Sequence, residues 1–253
     1  MRLSGRWKLL APAVVSAWLL SGCPAPPRAP PPPAGAAPAV AAPPAPHLGT
    51  PYEVVPQRSL LTILVYRGGA LASAGHNHVI ASHDLGGTLY AASDLLQSSF
   101  ELHVPVATLT VDESALRAQQ PAAEFPADVS DSAKEGTRHN MLGEALLDAQ
   151  RNPEITLRSV RLEPAGEAPD PNTVLAHIEC LVRGEPRAFA APVHYRLGGG
   201  GTLEASGELP LRQTQLGLTP FSAMLGALQV QDEMRISFRI LARAARVGGT
   251  ARE

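Results

Sequence analysis

Apolar and polar residues alternate along most of this chain, and this period of two limits what it can fold into. In residues 59–66, Leu61, Ile63 and Val65 share one face of an extended segment, and the alternation returns in residues 99–106. The same pattern occurs in residues 154–162, 174–182, 188–197, 202–211 and 234–242. Each segment is typical of a strand with one apolar face, which predicts a long antiparallel sheet.

Helical signals are confined to one part of the chain. Residues 113–120 and 137–150 are rich in helix formers, and Pro121 and Pro126 interrupt the stretch between them. About eight strands with so few helices must close into a barrel or pair as a sandwich to protect their edges. We therefore predict a mainly β domain, an eight-stranded antiparallel β-barrel with one or two short helices.

The amino terminus has the features of an export signal. Cationic residues precede an uncharged, mainly apolar run at Leu9–Leu20, which is short for a membrane-spanning helix. The run ends in Leu20-Ser21-Gly22-Cys23, which resembles the lipobox of bacterial lipoproteins. We predict a signal peptide over residues 1–22 and a lipid anchor on Cys23. The expected location is the bacterial cell envelope, anchored to a membrane and facing the periplasm, with outer and inner membrane both open.

Composition then divides the remainder of the chain. Between Pro24 and Pro56 lie 13 of the 25 prolines, with many alanines and almost no large apolar residues, so little surface can be buried there. We predict a disordered tether over residues 23–53, a barrel domain over residues 54–244 and a disordered tail over residues 245–253.

Charge and reactive residues exclude several classes of function. Removing residues 1–22 takes away three positive charges, so the net charge of −2 becomes −5, which argues against nucleic-acid binding. Cys180 is the only cysteine besides Cys23, so no disulfide or cysteine zinc site is expected, and it is predicted to be a small buried hydrophobe. The chain has no Gly-x-Ser-x-Gly elbow. We predict no enzymatic activity, no catalytic residue and no cofactor.

Seven segments occur in the order and spacing of one known family. They are GALASAGHNH (69–78), GTL (87–89), FELHVPV (100–106), GTRHNML (136–142), NPEI (152–155), GELPLRQTQLGL (207–218) and DEMRI (232–236). Together they resemble the YceI-like family, the lipid- or polyisoprenoid-binding domains of bacterial periplasms. The resemblance implies a lipocalin-like barrel whose elongated interior accepts a polyisoprenoid or a long-chain acyl amphiphile.

Candidate ligand-binding residues follow from the strands and from this resemblance. The lining candidates lie on the apolar faces of clear strands: Phe100, Leu102, Val104, Ile236 and Phe238. His78 is a candidate for holding a polar headgroup at one end of the pore. The expected partners are the lipid ligand and the membrane reached through Cys23, and the sequence is compatible with a homodimer.

Two alternatives stay open from sequence. His76 and His78 share a strand face, and with His83, His103 or His139 they would offer ligands for zinc or copper, although no complete metal motif surrounds them. An interaction scaffold with a filled barrel core is the other alternative. The polar segments 138–140 and 212–214 are interpreted as hydrogen-bonding ends of helices and strands.

Overall fold

The computed structural model of the protein describes residues 47–166 and 172–245. The predicted signal peptide, Cys23, most of the predicted tether and the tail beyond residue 245 lie outside the described residues. Contacts within the chain group Ala45–Glu253 into one compact unit. None of the helices in the described ranges has the length and apolar character needed to cross a bilayer.

The described ranges contain twelve strands, two α-helices and six short 3₁₀ helices. The strands are β1 Thr50–Val54, β2 Leu60–Gly68, β3 His78–Ser82, β4 Gly86–Ala91, β5 Ser99–Pro105, β6 Thr110–Val111, β7 Glu154–Pro164, β8 Thr173–Val182, β9 Glu185–Gly198, β10 Thr202–Arg212, β11 Ser222–Ala223 and β12 Leu228–Ala244. The α-helices are α1 Ser114–Arg117 and α2 Asp131–Leu142.

Eight of these strands form a closed antiparallel ring in the order β1-β4-β5-β7-β8-β9-β10-β12. The pairing of β12 with β1 closes it, with Val54 opposite Ala242. The long strand β12 also pairs with β2, and β3 and β6 continue the sheet from there. Closure leaves no open edge in the ring, which is the physical reason for a barrel. The predicted mainly β, eight-stranded antiparallel barrel with two helices is confirmed.

Several element boundaries differ from the sequence-based expectation. The predicted helix over 137–150 lies instead at Asp131–Leu142, because the Ser130 hydroxyl accepts a hydrogen bond of 3.2 Å from the Ala133 N–H and caps the helix there. The helix predicted over 113–120 is limited to Ser114–Arg117. Strand β1 begins at Thr50, inside the segment predicted as tether, because it pairs with both β4 and β12.

Alternation along the strands builds the core. In β8 the side chains of Val174, Ala176, Ile178, Cys180 and Val182 are all buried, whereas their neighbours lie nearer to solvent. Burial raises the pKa of the Cys180 thiol to about 12. The prediction that Cys180 is a small buried hydrophobe beside Ile178 and Val182 is confirmed.

A second, smaller core covers the outer face of β2 and β3. Leu64 and Val79 pack there against Leu116 from α1 and Phe125 from the segment that follows it. This cluster fixes the segment between β6 and α2 against the barrel wall, and so it positions the polar residues described next.

Candidate ligand-binding site

The barrel encloses a cavity of about 530 Å³, within the range of known ligand pockets. Most of its lining is aliphatic or aromatic. All five predicted lining residues face it: Phe100, Leu102, Val104, Ile236 and Phe238. The structure therefore brings these side chains to one surface, and contact with a ligand stays a prediction for each of them.

Strand register makes the apolar wall continuous. Ile236 lies opposite Ile63 of β2, and Phe238 lies opposite Leu61. On the other side of the barrel, Leu102 of β5 lies opposite Leu157 of β7. A shift of one residue in either pairing would turn these side chains to the outside, so the cavity depends on the observed register.

Polar groups gather at one end of the cavity. His76 and His78 reach it from the start of β3, Thr137 and Asn140 from α2, and Gln213 from the turn after β10. The amide nitrogen of Gln213 donates to the Gln231 carbonyl at 2.8 Å. We call this group the polar end of the cavity.

His78 is held by hydrogen bonds to both ring nitrogens. Its Nδ1 lies 2.6 Å from Oδ2 of Asp112, and its Nε2 lies 3.2 Å from the Thr137 hydroxyl. Because an ionised carboxylate only accepts, Nδ1 carries the proton that it donates to Asp112. In the neutral ring Nε2 is then an acceptor for Thr137 or for a donor on a ligand.

Asp112 is a fully buried carboxylate with a complete set of partners. It also accepts from the Val79 N–H at 2.9 Å and from Nη1 of Arg117 at 2.7 Å. Burial by itself would raise the pKa of Asp112, but the hydrogen bonds from His78 and Val79, with the charges of His78 and Arg117, bring that pKa below its usual value. Asp112 is therefore ionised at neutral pH and orients the His78 ring.

Arg117 links this carboxylate to the surrounding backbone. Its Nη1 donates to the Asn77 carbonyl at 2.8 Å, and its Nε donates to the Pro126 carbonyl at 2.6 Å. The guanidinium lies 5.6 Å from the centre of the Phe125 ring. His78, Asp112 and Arg117 thus form one buried unit behind the polar end.

The histidines do not converge on a metal site. The rings of His76 and His78 lie 6.1 Å apart, but His83 bonds to Glu113 at 3.0 Å and His139 is exposed on α2. His103 alternates with the inward residues of β5, next to Gly86. Among the residues that the structure describes, no three His, Cys, Asp or Glu side chains form a group that could hold a metal ion. The geometry gives the metal hypothesis no support.

Asp112, Arg117 and Thr137 were not predicted as site residues from the sequence. None of them continues a hydrophobic pattern or belongs to a recognised catalytic motif, and Asp112 lies 34 residues from His78 along the chain. Asp112 has a positive φ of 54°, a conformation that Asp tolerates better than most residues, but only the structure reveals this angle. In the two polar segments, Arg138 donates to the Ala107 carbonyl at 2.6 Å, and Thr214 donates to Asp232 at 2.7 Å.

Comparison with known proteins identifies the family. The model of the YceI-like domain matches residues 52–242, which include nearly all of the barrel. The chain belongs to the YceI-like family. No curated protein matches this YceI-like chain.

Three solved structures align with much of the chain. BcnA of Burkholderia cenocepacia aligns with a TM-score of 0.53 and 16% identity, over 75% of this chain and 99% of BcnA. A polyisoprenoid-binding domain from Saccharophagus degradans, implicated in plant cell wall breakdown, aligns with a TM-score of 0.49 and 10% identity, over 77% of this chain and 98% of that domain. A Campylobacter jejuni YceI protein aligns with a TM-score of 0.45 and 8% identity, over 64% and 82% of the two chains. At these identities, the likeness to BcnA supports the YceI-like fold and no more.

Proposed function

We propose that this protein is a membrane-anchored, periplasmic lipid-binding protein that holds one polyisoprenoid or long-chain acyl amphiphile inside the barrel. The observation that carries the proposal is the cavity of about 530 Å³, with its apolar wall and a single polar end. The Saccharophagus degradans domain is named as polyisoprenoid-binding, which is the same ligand class.

The energetics favour a slender apolar chain. An eight-stranded barrel is just wide enough for one small ligand. Each methylene that leaves water contributes about 0.8 kcal/mol, so a chain along the bore gains affinity with every carbon that it buries. A ligand of this kind needs no covalent chemistry from the protein.

The polar end sets the direction in which the ligand enters. With Nδ1 committed to Asp112, Nε2 of His78 is the ring atom that faces the cavity, beside the Thr137 hydroxyl. Together with Asn140, these groups offer both hydrogen-bond donors and acceptors to a headgroup. The tail then extends along the apolar wall towards Phe238 and Phe100.

Two features of the cavity separate this function from the alternative of a scaffold. A filled core would leave no space for a ligand, whereas the interior here has the volume of a ligand pocket. The polar groups are also concentrated at one end, as an amphiphile requires.

The anchor at Cys23 rests on the sequence. Its lipobox follows an apolar run, and two or three acyl chains give stable attachment where one chain gives only reversible binding. Labelling with radioactive palmitate tests it: the full chain is expected to incorporate label and Cys23→Ser is expected to incorporate none. Label in the Cys23→Ser variant would contradict the proposal.

Native mass spectrometry tests the ligand. The chain from Ala45, exported to the periplasm and purified without detergent, is expected to carry one lipid per protein, identified after extraction, with metal content measured on the same sample. The same spectra report whether two copies associate.

A matched pair of variants makes the test specific to the bore. Ala191 of β9 faces the cavity, whereas its neighbour Ala190 is exposed on the outside. Ala191→Phe fills the bore and is expected to lose the lipid, and Ala190→Phe is expected to keep it. Equal lipid content in both variants, or stoichiometric zinc or copper in place of lipid, would contradict the proposal.

A further inference from the structure

Residues 68–83 and residues 213–231 contain no Asp, Glu, Lys or Arg. The fold joins them, because the Leu71 N–H donates a hydrogen bond of 2.7 Å to the Ala227 carbonyl. Gly69 permits this approach, since a Cβ there would lie 2.4 Å from the same carbonyl oxygen. We call residues 69–75 and 221–227 together the uncharged tip.

Large apolar side chains of the uncharged tip point to solvent. Leu225 is fully exposed and Met224 is 68% exposed, and Leu71 and Phe221 are also exposed. Met224 and Leu225 have φ values of 51° and 56°, a left-handed conformation that bulky residues rarely adopt. The backbone is held there by the Ala227 N–H, which donates to the Met224 carbonyl at 3.2 Å. The chain thus exposes the apolar side chains of Met224 and Leu225 to water in a strained backbone conformation. Strained segments and exposed apolar patches are typical of binding surfaces.

The uncharged tip lies at the mouth of the cavity. Three residues of the tip also line the cavity: Ala74, Gly75 and Phe221. Leu228, the first residue of β12, follows the tip in the chain and lines the cavity as well. The apolar surface of the interior therefore continues to the outside of the molecule at this point. Arg67 is the charged residue at this junction, and its Nη1 donates a hydrogen bond of 2.8 Å to the Gly75 carbonyl.

We propose that the uncharged tip docks into the interfacial layer of a lipid bilayer and holds the cavity mouth against it. Protein interfaces usually combine an apolar centre with a polar rim and directed hydrogen bonds. The tip offers exposed aliphatic side chains without any charge, and an uncharged apolar surface matches the boundary between lipid headgroups and acyl chains. An apolar ligand then passes between bilayer and barrel without crossing water. This step, and any contribution from an acylated Cys23, rest on the proposed function.

Chain length allows docking to the membrane that holds Cys23. The tether joins the barrel at Thr50, and because Tyr52 pairs with Ala244, this is the end of β12 opposite to the uncharged tip. The 17 residues of β12 span roughly 56 Å at about 3.3 Å per residue. Residues 24–49 are 26 residues, which reach roughly 80 Å at about 3.1 Å per residue when extended. Acylation of Cys23 would also raise the local concentration of a tip that docks weakly by itself.

Tryptophan fluorescence tests the docking directly. The chain from Ala45 contains the whole compact unit and omits Cys23, and it contains no tryptophan, because Trp7 and Trp18 are the two in the sequence. Leu225→Trp places one reporter on the tip. Leu197→Trp is the matched control, because Leu197 is 58% exposed at the opposite end of the barrel.

With phosphatidylcholine vesicles, Leu225→Trp emission is expected to shift to the blue and to be quenched by brominated acyl chains, while Leu197→Trp stays unchanged. The double variant Met224→Asn, Leu225→Asn is expected to lower the vesicle partition coefficient on the order of 100-fold. Asn favours the left-handed conformation, so this variant keeps its folding stability. Because the tip has no charge, partitioning is expected to be the same at about 0.05 M and about 0.5 M salt.

Other outcomes would overturn the inference. One is equal quenching of Leu225→Trp and Leu197→Trp, and another is a vesicle partition coefficient that falls steeply with salt. A third is a dimer, detected by its mass, in which the tryptophan of Leu225→Trp is buried without any lipid present. Ala191→Phe separates this inference from the proposed function, because it is expected to dock and to carry no lipid. A wild-type protein that docks but is empty contradicts only the ligand proposal, and one that carries lipid but does not dock contradicts only the inference about the tip.

Discussion

The apolar wall of the cavity and the buried unit behind its polar end are built in different ways. Along the wall, side chains such as Leu102 and Phe238 contribute apolar surface area, and another apolar side chain of similar size can supply the same area. In the buried unit, each polar atom of Asp112 has particular partners, and removing one leaves another unsatisfied. We therefore expect the wall to tolerate substitution, whereas the unit of His78, Asp112 and Arg117 is expected not to.

The largest expected effect is the loss of the Asp112 charge. Asp112→Asn keeps the shape of the side chain and tolerates the positive φ, but it leaves Arg117 as a buried cation without its counter-ion. Breaking such a pair costs about 3–5 kcal/mol of unfolding free energy, which urea denaturation measures.

An exposed group of the same composition provides the control. Glu163 binds His177 at 2.9 Å and Arg161 at 2.7 Å on the surface of the barrel. Glu163→Gln is expected to leave the unfolding free energy unchanged, because exposed ion pairs contribute little. Equal losses in Asp112→Asn and Glu163→Gln would show that burial does not distinguish the two groups.

The pH dependence of stability is the next effect in size. The pKa of Asp112 in the folded protein lies below its usual value, despite burial, because of the hydrogen bonds from His78 and Val79 and the neighbouring charges. The contribution of ionised Asp112 to the unfolding free energy is therefore complete above the pKa of about 3.9 that Asp has in the unfolded chain. This contribution is lost as the pH falls towards the lower pKa of Asp112 in the folded protein. The difference in unfolding free energy between wild type and Asp112→Asn should be constant from about pH 5 to 7 and shrink below about pH 4. A difference that grows on acidification would contradict this assignment.

The smallest effect is expected in the wall. Phe238→Leu retains an apolar side chain of related size and should lower the unfolding free energy by less than about 1.5 kcal/mol. Retention of the co-purified lipid, measured by native mass spectrometry, is expected to persist. His78→Asn is the comparison at the polar end, where loss of the imidazole removes the acceptor next to Thr137. If Phe238→Leu loses more lipid than His78→Asn does, the wall is the less tolerant of the two regions and the expectation is wrong.

The same contrast explains what the sequence could and could not predict. Period-two alternation identified the strands and placed Phe100, Leu102 and Val104 on one face, because side-chain direction in a strand is a local property. The need to protect strand edges then pointed to a barrel. The pairing of His78 with Asp112 depends on β3 lying beside β6, a long-range contact that no local pattern encodes.

Helix position was missed for a different reason. The stretch at 137–150 has good helix formers, but the helix begins at Asp131, after the Ser130 cap, and ends before Gly143. End effects of about 1 kcal/mol thus outweighed modest differences in propensity. Strand β1 was missed because it is short, contains Pro51 and directly follows the proline-rich segment, and it pairs with strands on both sides.

Strand β12 has a consequence for how the protein acquires its cavity. It is the last element of the described chain, and it pairs with β1, β2, β10 and β11. Val54 pairs with Ala242, so the contact that closes the barrel joins residues from nearly opposite ends of the domain sequence. Contacts between residues so far apart in sequence slow folding. During synthesis from the amino terminus, the earlier strands keep an open edge until the chain has been made up to residue 244. The binding compartment is thus a property of the finished polypeptide, and a chain that stops short of β12 presents its apolar wall to whatever surrounds it.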